Sequence, residues 1–104
     1  MKITEKVIPH IEKAIGFELY EKQKEHLLNK GYYTIGGRGT GKTVAYCIKL
    51  ALSDGEPLDM RNPHKFSDYG DGSRRYAYGF FRREFLEYRR MLKEYGFPVR
   101  DIKF

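Results

Sequence analysis

Residues Gly36-Gly37-Arg38-Gly39-Thr40-Gly41-Lys42-Thr43 restrict the path of this chain more than any other stretch. They satisfy the spacing G-x-x-x-x-G-K-[ST], in which each fixed position has a physical task. Glycines admit positive φ, so successive backbone N–H groups can close around an anion. Lys42 carries a compact charge that reaches the outer phosphates of a polyphosphate, and Thr43 carries a hydroxyl suited to Mg2+. A helix behind them points the positive end of its dipole at the same anion. The flanks agree with this geometry. Tyr32-Tyr33-Thr34-Ile35 is aromatic and β-branched and predicts a strand, and Lys42–Leu52 predicts a mostly buried helix. The plainer alternative is a Gly-rich strand-to-helix turn that holds no ligand.

Residues 36–43 resemble the phosphate loop of P-loop nucleoside triphosphatases. The form Gly-Gly-Arg-Gly-Thr-Gly-Lys-Thr is similar to that of phage terminase large subunits and helicases. Those families also carry an aromatic-x-x-Gln segment upstream, and Tyr20-Glu21-Lys22-Gln23 stands at a similar spacing here. The resemblance covers about residues 17–53. It implies ATP or GTP as ligand, Mg2+ held by Thr43 through the nucleotide, adenine recognition by the amide of Gln23, and Tyr20 flanking the base. It also implies a phage or prophage source.

Beyond residue 53 the family pattern stops. A P-loop ATPase needs a buried strand ending in a carboxylate that serves the metal and the attacking water. Asp54, Glu56, Asp59, Asp68 and Asp71 all lie in polar sequence containing Gly and Pro, and Asp101 follows the short, weakly apolar Phe97-Pro98-Val99-Arg100. The expectation is therefore nucleotide binding with weak or no hydrolysis by the lone chain. With 104 residues, the chain is a single small domain, 1–104, without room for a full five-stranded P-loop sheet. The expected class is α/β: a minimal P-loop-like domain with a small, mostly parallel sheet flanked by helices.

A net charge of +6 is spread unevenly: residues 54–73 carry two Lys/Arg and five Asp/Glu, and residues 74–104 carry nine and four. Tyr78, Phe81, Phe85, Tyr88, Leu92 and Tyr95 recur at three- and four-residue steps and predict an amphipathic helix over 78–95, ended by Gly96. Arg83 with Glu87 and Arg90 with Glu94 fit ion pairs on its outer face. Arg74, Arg75, Arg82 and Arg89 have no acidic neighbour at that spacing. They are either a solvated face or a sequence-independent track for nucleic-acid phosphates.

Other elements follow from local signals. Residues 4–15 predict a helix with Thr4 as N-cap and Pro9 as an interruption, and Glu18–Lys30 a helix ended by Gly31. Residues 53–73 read as one long loop, and Val99–Lys103 as a short strand parallel to 32–35. The single Cys47 fits a small apolar core residue and a reducing, cytosolic setting. No signal peptide and no membrane-crossing apolar run is visible. His10, His26 and His64 are too scattered for a metal site. Two further functions stay open: a module gripping another anion such as a nucleic-acid backbone, and an accessory or inhibitor subunit docking on a larger phage or host protein.

Overall fold

A computed structural model describes residues 2–28, 42–67 and 74–104. Helix α1 (Ile8–Ile15) is followed by α2 (Glu21–Leu27) and α3 (Lys42–Ala51). Then come strand β1 (Leu58–Asp59) and a 3-10 turn (Pro63–Lys65). Helix α4 (Arg74–Tyr76) runs through a π-helical turn (Ala77–Phe81) into α5 (Arg82–Tyr95), and strand β2 (Ile102–Lys103) comes last. Among the described residues the sheet is a parallel pair, with Leu58 opposite Ile102 and Asp59 opposite Lys103. Helices around a short parallel sheet place the chain loosely in the α/β class. Among the same residues no helix is long and apolar enough to cross a membrane.

Helix α3 is central. It packs on α2 and on α5, and α1 packs on α5. Ile11, Cys47, Ile48, Ala51, Phe81, Phe85 and Leu92 meet in one core without solvent exposure. Cys47 is thus the small buried residue that its helix position predicted. The stripe of the last helix is core at Phe81, Phe85 and Leu92, half-buried at Tyr88 and exposed at Tyr95. Tyr95 uses its rim position to meet His10 Nδ1 through its hydroxyl at 2.8 Å, joining α5 to α1.

Several boundaries differ from the sequence reading. Helix α1 starts at Ile8, and Pro9 sits in its first turn, where a missing N–H costs nothing. Helix α2 starts at Glu21, because Leu19 and Tyr20 are held outside it. The Leu19 N–H donates to Glu12 Oε2 at 2.7 Å, and Tyr20 is extended, with φ −71° and ψ 157°. Residues 53–67 are not one loop: they contain β1 and the 3-10 turn. Strand β2 pairs with β1, whereas the expected partner 32–35 lies outside the described residues. The C-terminal helix begins at Arg74, four residues early, and takes an extra residue into its π turn.

Candidate functional site

The described edge of the candidate loop is the first turn of α3. Gly36, Gly37, Arg38, Gly39, Thr40 and Gly41 lie outside the described residues, as does the side chain of Lys42. Lys42 opens α3, as the strand–turn–helix reading requires on its helical side. Thr43 follows, half-buried, and its Oγ1 stands 3.2 Å from the Tyr76 hydroxyl of α4.

Aromatic packing fixes this first turn. Tyr46, one turn further along α3, donates its hydroxyl to the Phe66 carbonyl at 2.7 Å and places its ring 5.9 Å from that of Phe81. Phe66 meets Phe81 edge-on at 5.9 Å and Phe85 at 6.0 Å. Tyr76 contacts Phe80 at 5.5 Å and Phe81 at 6.4 Å. Phe81 and Phe85 are therefore the hub against which both Tyr46 and Tyr76 are set. The π turn is what lets Tyr76 and Phe81, five residues apart, share that hub.

The upstream segment has a clear structural role. Gln23 is 4% exposed, and its Oε1 accepts the Tyr20 N–H at 2.7 Å, which satisfies a donor at the start of α2. The Tyr20 ring is exposed. This is one half of a capping box, and the third position after Tyr20 was its sequence signal. It is hard to read because Tyr, rather than Ser or Thr, stands at the cap. Helix α2 is tied to α3 through Lys49 Nζ, which donates to the His26 carbonyl at 3.4 Å. Burial, aided by the Lys49 charge, pushes the His26 imidazole below its ordinary value.

The basic residues separate into three groups. Arg74 and Arg75 are exposed on α4, beside Tyr76. Arg82 lies over the Tyr78 ring at 5.9 Å, and Tyr78 stacks on the buried His64 at 5.7 Å. Arg89 donates Nε to the Arg100 carbonyl at 2.7 Å and so belongs to the frame. On the outer face, Arg90 pairs with Glu94 at 2.9 Å and also takes Glu87.

Of the acidic candidates, Asp59 ends β1, so a carboxylate does close a short strand where the sequence showed only polar loop. That carboxylate accepts from Arg61 Nε at 3.1 Å and Asn62 Nδ2 at 3.0 Å, and the Arg61 bonds hold it well below the usual carboxylate range. Asp68 and Asp71 lie outside the described residues. Among the described residues, no group of three or more His, Cys, Asp and Glu side chains is arranged to hold a metal ion.

The residue that sequence reasoning missed is Tyr76. It stands 33 positions from Thr43 and outside the predicted helix, so no local pattern joins them. No protein-family model, curated protein or solved structure matches the chain.

Proposed function

We propose that this chain is a small P-loop-like protein that binds a nucleoside triphosphate, ATP or GTP, with Mg2+ through Gly36–Thr43. One observation carries the reading: an unbroken G-x-x-x-x-G-K-T pattern runs directly into a helix whose first turn is anchored to the core. In it Lys42 neutralises the outer phosphates. The half-buried Thr43 hydroxyl is a hard oxygen of the kind Mg2+ accepts, and Mg2+ is commonly held by one or two protein groups plus substrate phosphates. The bound metal supplies charge neutralisation of the phosphates. Hydrolysis by the lone chain is weak or nil, because Asp59 is already engaged by Arg61 and Asn62. A phage or prophage source and action in the host cytosol belong to the same reading, on the form of the motif alone.

Calorimetric titration with ATP and GTP, with and without Mg2+, tests this. Lys42→Ala is expected to weaken binding at least tenfold, about 1.4 kcal/mol, by removing a charge-assisted contact. Equal affinity of the two proteins overturns the reading.

A second reading is favoured by the exposed Arg74 and Arg75: binding to nucleic-acid phosphates, independent of sequence. A low-salt gel shift without any complex removes it.

A further inference from the structure

The Thr43 hydroxyl lies 3.2 Å from that of Tyr76, and either oxygen can be the donor. The distance is slightly long for an O–H···O bond. The phenol is held in place by the Phe80 and Phe81 rings, and Thr43 by the packing of α3 on α5. The contact is thus set by the core and not by two mobile side chains.

A hydroxyl has one proton and two lone pairs. If its oxygen gives a lone pair to a divalent cation, the proton must point elsewhere, and the cation makes it a stronger donor. The geometry points to Tyr76 as the positioning residue that receives this proton. Tyr76 Oη accepts from Thr43, the free Thr43 lone pair faces the metal, and α4 becomes coupled to the occupied loop. This rests on the triphosphate reading above and deepens it by assigning the orientation of the metal-ligating hydroxyl. A phenol is a neutral acceptor, so the gain in metal affinity is smaller than a carboxylate would give.

The test measures ATP affinity with and without Mg2+ for the wild type, Tyr76→Phe, Thr43→Val and the double variant. Each protein is first checked for an intact thermal transition. Tyr76→Phe is expected to cut the enhancement by Mg2+ about fivefold, as for one lost hydrogen bond, and to leave metal-free affinity within about twofold. Thr43→Val is expected to remove the enhancement, and adding Tyr76→Phe to it changes nothing more. In wild-type protein carrying labelled tyrosine, the Tyr76 Cζ resonance is expected to move when Mg2+ joins the ATP complex and not with ATP alone. This second measurement needs no variant and stands even where Tyr76→Phe fails to fold. Wild-type Mg2+ enhancement in Tyr76→Phe, equal loss of metal-free affinity, or an unmoved Tyr76 resonance overturns the assignment while leaving triphosphate binding standing. A wild type that binds no triphosphate under either condition overturns both.

Discussion

Arg100 closes over Gly55: a Cβ on that glycine would stand 2.7 Å from Arg100 Nη2. The guanidinium cannot simply move away without loss. Its Nε donates to the Glu56 carbonyl at 2.9 Å and its Nη1 to Ser53 Oγ at 3.1 Å. The Arg100 N–H donates to the Ala51 carbonyl at 2.7 Å, and its own carbonyl accepts from Arg89. One residue thus fastens the end of α3, the following turn, α5 and the approach to β2.

Gly55 has φ +149°, a conformation that other residues rarely adopt. Gly55→Ala is therefore expected to destabilise the protein by about 1–3 kcal/mol, through backbone strain and disturbed Arg100 bonds. Gly79 in the π turn has open space where a Cβ would be. Gly79→Ala is expected to be neutral or to stabilise by about 0.5–1 kcal/mol, the usual helix gain over glycine. Urea unfolding of both variants checks the contrast.

The arginines differ in role. Arg89→Gln is expected to cost about 1–2 kcal/mol, because a half-buried carbonyl loses a charged donor. Arg74→Gln and Arg75→Gln, both exposed, are expected to stay within about 0.5 kcal/mol of wild type. For this reason the salt-dependence test of nucleic-acid binding is made with Arg74, Arg75 and Arg82 replaced together and Arg89 retained. A phosphate track gives a log–log salt slope near −0.9 per duplex phosphate neutralised, and the triple variant should flatten it.

Gln23 is expected to matter before any ligand is added. Gln23→Ala removes the acceptor for the Tyr20 N–H and should cost about 1–2 kcal/mol, read from the urea midpoint. Gln23→Glu keeps an acceptor at the position where capping boxes use Glu or Gln, so most of the stability should remain. It loses the amide donor needed to read adenine. A Gln23→Glu protein with undiminished preference for ATP over GTP would therefore remove Gln23 from base recognition.

Stability should also depend on His26. Its imidazole is below the ordinary value of 6.5 in the folded chain, so the folded state favours the neutral ring and the unfolded chain binds the proton first. The His26 contribution is complete above 6.5, declines as pH falls below it, and levels off once pH is below the folded value. Asp59 and Glu87 are held below the carboxylate range and act only at lower pH. Urea midpoints measured at about pH 7.5 and about pH 5.5 should differ in the wild type, and His26→Gln should reduce the difference.

Much of the frame is legible in local sequence. Gly16 and Gly96 end α1 and α5 with φ 85° and 117°, as terminal glycines do. The alternation of apolar residues located α3 and the core stripe of α5, since helical period and burial are read directly from spacing. The β1–β2 pair was hidden because each strand is two residues long, too short for a period, and each is defined by its partner: the Leu58 N–H donates to the Asp101 carbonyl at 2.9 Å and the Met60 N–H to the Lys103 carbonyl at 2.8 Å.

The sequence by itself determined which residues can grip a phosphate, because the spacing of Gly36 to Thr43 sets what backbone and charge can do over eight consecutive positions. Only the tertiary structure decided which distant groups meet them. Packing of Tyr46, Phe66 and Tyr76 around Phe81 brings the Tyr76 hydroxyl to Thr43 across 33 residues, and the extra residue of the π turn sets where Tyr76 falls. In the same way Arg89 reads as a surface charge in sequence and becomes a backbone clasp once Arg100 folds against it. Such roles depend on contacts between segments, and the hydrophobic burial that creates those contacts acts on the whole chain at once.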